Sequence, residues 1–208
     1  MIKSINISVL IIGFIVDLFL LVNGRTVFGA FWTTAYSNAV EIYLVMLVIS
    51  VAISFNSESQ ISLTNSIIVF VPVFIVSLLT FSQIFHVPHV VGEPLEQVIL
   101  TILFQITVVS LTEELLFRFA LFNLFGGNVK AIFLQAMLFA IFHMTAYSLS
   151  GVIDWTSILV AFGFGTIMGV IMLYSKMIGK ESSGLAVCWA IHAAWNLSIS
   201  LSIFSVGL

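Results

Sequence analysis

Thr112-Glu113-Glu114-Leu115-Leu116-Phe117-Arg118 sets two carboxylates and a guanidinium inside the longest apolar tract of the chain. An ionisable side chain at the centre of a bilayer costs from about 2.5 kcal/mol upward, so by default it faces the protein interior, is paired, and marks a functional site. The stretch therefore belongs on a helix enclosed by other helices. A bundle of spans is needed to enclose it.

The rest of the chain supplies that bundle. Of its 208 residues, 61% are hydrophobic and 7% charged, with a mean hydropathy of +1.25, whereas an average soluble domain carries roughly 25% charged residues. This is the composition of an integral membrane protein. At about 20 residues per span plus short loops, the length allows roughly seven helices and no separate soluble domain. The expected fold is all-α, a single polytopic transmembrane bundle over 1–208 with its active site in a cavity within the membrane. The apolar run from Ile5 to Val22 after Lys3 is too long for the core of a signal peptide and is not followed by a small-x-small cleavage site, so it reads as a retained first span. A net charge of −3 with no basic run gives no support for nucleic-acid binding. The single cysteine, Cys188, excludes an intramolecular disulfide and a Cys-rich zinc site.

Turn chemistry divides the spans. Asn23-Gly24 is expected to close span one, which carries Asp17, read as a carboxyl bonded to a neighbouring helix or, alternatively, as a substrate or proton contact. Phe28, Phe31, Trp32 and Tyr36 suit an interfacial segment. Span two then covers about Ala39 to Phe55 and span three about Ile61 to Phe85, kinked at Pro72. His86-Val87-Pro88-His89 through Glu93-Pro94 reads as an interfacial loop; its two histidines could hold a metal, but a proline lies between them and no cysteine is near. Span four, from about Leu95 to Phe125, exceeds one bilayer crossing and must tilt, kink or project. Spans five, six and seven follow at about Val129–Leu149, Thr156–Tyr174 and Leu185–Ile203, and Gly165-x-x-x-Gly169 in span six is a close-packing motif. This alternation puts Lys3, Lys130, Lys176 and Lys180 on one side and Arg25 on the other, which implies a cytoplasmic N-terminus and an outer C-terminus.

Helical spacing sorts the polar groups. Residues four apart share a face, whereas adjacent ones diverge by about 100°. Glu114 and Arg118 are therefore expected to pair, leaving Glu113 pointing elsewhere and able to act. His143 lies within span five, one turn after Phe139; His192 and Asn196 share a face of span seven. Three spans that each need polar groups buried are most simply arranged around one cavity. An acid, two imidazoles and an amide there fit acyl transfer to water: the carboxylate takes a proton from water, a histidine holds that water or protonates the leaving amine, and histidine with asparagine donates to the oxyanion.

Glu113-Glu114-x-x-x-Arg118, Phe139-x-x-x-His143 and His192-x-x-x-Asn196, in this order on successive spans, resemble the three motifs of the CAAX protease and bacteriocin-processing (CPBP, Abi) family of intramembrane endopeptidases. The resemblance covers about Leu95 to Ser198 and implies that this is the catalytic core. It implies Glu113 as the water-activating base, His143 as its partner, His192 and Asn196 as oxyanion stabilisers, and Glu114 and Arg118 in support. It further implies a membrane-associated peptide or protein substrate, in CAAX-type, bacteriocin or signal-peptide processing or in self-immunity, and the plasma membrane of a prokaryote.

The same residues admit rival readings. Glu113, His143 and His192 match a catalytic zinc ligand set, although no HExxH is present; the metal-free version is preferred because Asn196 is a poor zinc ligand and a good oxyanion donor. Cys188, His192 and Asn196 also share one face, so a cysteine hydrolase is conceivable, but it would leave Glu113 unexplained. The non-enzyme alternative is an immunity protein that sequesters a peptide, or a small transporter with the acids as a proton site.

Overall fold

Apolar runs with short polar breaks dictate helices, because within a bilayer a segment must satisfy its own backbone amides. The computed structural model describes residues 8–54, 63–84, 94–147 and 154–204, and among these it has seven long helices and no strand. They are α1 (Ser8–Phe28), α2 (Thr34–Ser54), α3 (Leu63–Ile84), α4 (Leu95–Leu124), α5 (Val129–Tyr147), α6 (Trp155–Met177) and α7 (Glu181–Phe204). Four of them, over Tyr36–Ile53, Ser66–Ile84, Leu95–Leu124 and Trp155–Met177, carry stretches long and apolar enough to cross a bilayer. The fold is the all-α membrane bundle expected from the sequence. Lys3, His86 and His89 lie outside the described residues.

The first turn departs from expectation. Helix α1 runs through Asn23-Gly24 to Phe28, and the chain reverses in a 3-10 turn at Gly29–Phe31, where Gly29 has φ 53°. Gly24 serves a close approach instead: a Cβ there would meet the Trp32 ring at 2.5 Å. With its indole laid on α1, Trp32 stacks against Phe28 and Tyr36, and Tyr36 meets Phe104 of α4 edge-on at 4.9 Å.

Asp17 departs as well. It is fully buried, yet neither carboxyl oxygen has a hydrogen-bond partner among the described residues. One turn on, Leu20 packs into a cluster with Val40, Leu100, Phe104 and Val108, so this side of α1 looks onto a mostly apolar surface.

The 30 residues of α4 include two widened stretches. Its backbone is π-helical over Phe104–Leu111 and again over Glu114–Leu121, with Thr112-Glu113 between. Such turns hold more residues each and occur frequently at functional sites. They also divert carbonyls from the usual ladder, and the Trp189 indole of α7 donates to the Ile106 carbonyl at 2.7 Å.

Helix α6 bears on the site through what it lacks. A Cβ at Gly165 would lie 3.1 Å from the Ala136 Cα, and one at Gly169 would lie 2.7 Å from Gln135 Nε2, so the two glycines seat α6 directly on α5. The Gln135 amide then donates across the contact to the Gly165 carbonyl at 2.7 Å. At the start of α6, Asp154 accepts from the Ser157 hydroxyl and from the Ser157 and Thr156 amides. These bonds, the hydroxyl's foremost, hold its carboxyl below the ordinary carboxylate range. Lys176, near the other end of α6, donates to Asn123 of α4 at 2.7 Å.

Gly165→Val should therefore lower the thermal stability of the detergent-solubilised protein by about 1–3 kcal/mol, the usual cost of overpacking. Gly163→Ala, where a Cβ meets nothing within 4 Å, is the control. Equal melting temperatures for the two variants would refute the close-contact account.

Candidate active site

Each polar site residue occupies the inward face of its helix because lipid offers no partner on the other. Glu113, Glu114 and Arg118 are 0–1% exposed and His192 is 2% exposed. The expected pairing on α4 is present: Arg118 Nε lies 3.3 Å from Glu114 Oε2. It is a single approach without hydrogen-bond alignment, not the planar fork that arginine can offer. The guanidinium instead covers the Phe139 ring, 4.0 Å from its centroid. Arginine is used here for stacking between a carboxylate and an aromatic face.

Glu114 has a second partner that spacing along one helix does not reveal. His192 Nδ1 stands 2.7 Å from Glu114 Oε1, buried between α4 and α7. A carboxylate only accepts, so Nδ1 carries the hydrogen. His143 is anchored in the same manner: its Nδ1 donates to the Phe139 carbonyl at 2.9 Å, another acceptor-only group. With both Nδ1 atoms committed, both rings present Nε2 to one point. Glu113 Oε2 lies 3.6 Å from His143 Nε2 and 3.7 Å from His192 Nε2. These separations are too long for direct hydrogen bonds and suit a bridging water. Glu113 Oε2 has no hydrogen-bond partner among the described residues.

The other oxygen, Oε1, accepts from the Tyr43 hydroxyl of α2 at 2.7 Å. Sequence reasoning missed this residue. Its signal was weak but real: tyrosine prefers the membrane interface, and Tyr43 sits well inside a span. The division of the glutamates into one paired and one unpartnered acid is thus incomplete, since His192 touches both and Tyr43 holds Glu113.

A cavity of about 330 Å³ adjoins this cluster between α5, α6 and α7, walled by Phe139, His143, Phe164, His192, Trp195 and Asn196 among others. His143 is the open edge of the site, its side chain 17% exposed against 2% for Glu113. Asn196 directs Nδ2 toward Ser110 Oγ at 3.4 Å, the loosest bond of the set. Cys188 is apart from this chemistry, buried in the core, with its thiol donating to the Met168 carbonyl at 3.5 Å. Among the described residues no group of three or more His, Cys, Asp or Glu side chains is arranged to hold a metal ion.

Residues 94–198, from the start of α4 through most of α7, match the model of one protein family: Rce1-like, type II CAAX prenyl endopeptidase Rce1-like. The match covers just over half of the 208 residues and includes all seven motif residues read from the sequence. The chain belongs to this family. No curated protein and no solved structure is matched. As an Rce1-like protein it is an integral membrane endopeptidase of the CAAX type, whose substrate is a peptide or protein met at the membrane.

Replacing Arg118 by lysine keeps the charge and loses the planar stack on Phe139. The variant should be less stable by about 2 kcal/mol, the worth of a desolvated cation–π contact, read as a lower melting temperature and yield in detergent. Wild-type values would show that a point charge beside Glu114 suffices.

Proposed function

We propose that this Rce1-like protein hydrolyses its substrate with a water activated by Glu113 and without a metal, the residues of about 95–198 forming its catalytic core. The carrying observation is the convergence of Glu113 Oε2 and two Nε2 atoms, 3.6 and 3.7 Å away, whose rings are both anchored through Nδ1.

The chemistry follows from those anchors. With its hydrogen on Nδ1, neutral His143 offers a lone pair at Nε2, so water held between it and Glu113 Oε2 can give a hydrogen bond to each. As the water oxygen bonds to the scissile carbonyl carbon, its proton passes to Glu113. The carbonyl oxygen becomes an oxyanion, for which His192 Nε2 and the Asn196 amide are the donors. His192 can donate from both nitrogens only as the imidazolium, and the Glu114 carboxylate lies 2.7 Å from Nδ1, where that cation needs a counter-charge. Collapse of the intermediate breaks the C–N bond, and the proton taken by Glu113 goes to the leaving nitrogen. Water is consumed, and an acid and an amine leave.

The metal-free reading rests on the donor set: Asn196 is a poor zinc ligand and a good oxyanion donor. Glu113, His143 and His192 would be the residues of a zinc-dependent version. As for biological role, we assign the protein to processing of membrane-associated peptides of CAAX, bacteriocin or signal-peptide type, or to self-immunity through such cleavage. The lysine asymmetry supports a cytoplasmic N-terminus and an outer C-terminus in a prokaryotic plasma membrane.

Mass spectrometry of membrane peptides from cells carrying wild-type or Glu113→Gln protein tests the core of this proposal. Product peptides should vanish with the glutamine, which keeps shape but not basicity, and persist in Cys188→Ala cells and in wild-type membranes treated with chelator. Chelator loss reversed only by zinc would transfer the role to the metal version, and products surviving Glu113→Gln would remove the base. Asn196→Ala should lower turnover by about 10²–10³, the effect of losing one oxyanion donor; near-normal turnover would leave Asn196 as a packing residue.

A further inference from the structure

A glutamate that acts as a base through one oxygen must have that oxygen kept in place, and its own side chain does not do this. The terminal torsion of a carboxylate is broad, so burial of the stem leaves the two oxygens free to exchange or tilt. Something outside Glu113 must select Oε2 as the atom turned to the imidazoles.

We propose that Tyr43 is the positioning residue for Glu113, its hydroxyl pinning Oε1 so that Oε2 faces the reacting water. The hydroxyl donates to Oε1 at 2.7 Å, while Oε2 is the oxygen near both Nε2 atoms. Tyr43 can do this because it is itself fixed. Val40, Met46, Leu47 and Ser50, at helical spacing around it, are all buried, which sets its face of α2 against the bundle. Its ring packs against two apolar clusters, one with Leu20, Leu100 and Phe104 and the other with Leu116, Phe139 and Ala161. A ring held on both sides gives a hydroxyl that needs no reordering when the reaction begins. Because α2 precedes residue 94, where the family match begins, this places part of the working site outside the segment that defines the family and extends the proposed core to a fifth helix.

The proposal rests on Glu113 being the base, and its test is built to separate the two. Tyr43→Phe removes one oxygen atom, and Tyr43→Leu removes the ring as a control for packing. Full-length protein in detergent is assayed on a fluorogenic prenylated CAAX peptide, and the carboxylate infrared band of Glu113 is located as the one deleted by Glu113→Gln. Tyr43→Phe should lower kcat by about 10- to 100-fold, as expected for losing a hydrogen bond to a charged group. KM should stay within about twofold, since the ring and the cavity wall remain. The melting temperature should be near wild type, and the Glu113 band should shift. In a Glu113→Gln background the same substitution should leave any residual turnover unchanged.

A wild-type kcat and an unmoved band in Tyr43→Phe would overturn the proposal while leaving Glu113 as base. Wild-type turnover in Glu113→Gln would instead overturn the base. If the wild-type protein does not cleave this peptide, the infrared arm alone decides: a shifted band supports the pinned carboxylate and an unmoved one refutes it.

Discussion

The hydrogen bond from His192 to Glu114, between helices whose sequence positions are 78 residues apart, is the contact on which the site depends. In a low-dielectric interior an unpaired charge is far costlier than any single packing defect. Glu114 therefore has to be answered, and it is answered twice, by Arg118 below and His192 across. The answer from α7 does more than neutralise. It commits the ring's Nδ1, turns Nε2 toward Glu113, and holds α4 and α7 in one rotational setting. Trp189 to Ile106 and Asn196 to Ser110 reinforce that setting along the same pair of helices.

Around this polar seam the bundle is built from shape. The Gly165 and Gly169 contacts bring α6 onto α5, and this proximity lets Phe164 share the cavity wall with His143 and His192. Phe139 touches Phe117, Phe164 and both histidine rings, so the imidazoles are gripped by aromatic faces as well as by hydrogen bonds. Helix α3 lies along α7 on its other side, where Phe70 meets Trp189 and Phe81 meets Trp195.

Much of this could be read in the chain itself, and the division between what could and could not is physical. Apolar run length locates helices because the bilayer sets it, so the spans fell close to where they stand. The Glu114–Arg118 pair follows from one helix's period. That Glu113, His143 and His192 meet was read from the burden of burying polar groups on three spans. Periodicity is silent, however, on contacts between helices far apart in sequence. Tyr43 and Glu113, 70 residues apart, share no spacing rule. Asn23-Gly24 has turn chemistry, but the indole of Trp32 gave Gly24 another use. Asp17 looked like a residue in need of a partner, and the apolar face opposite could not be foreseen from α1 alone.

The two imidazoles are oriented alike but are not equally heritable. His192 depends on a side chain, so a single base change at position 114 can release it. His143 depends on the carbonyl of residue 139, which every amino acid supplies. Drift at position 139 can alter the ring that covers Arg118 yet cannot delete the acceptor that aims the histidine. One half of the site is thus buffered against point mutation by the backbone itself, and selection has to guard the other half residue by residue.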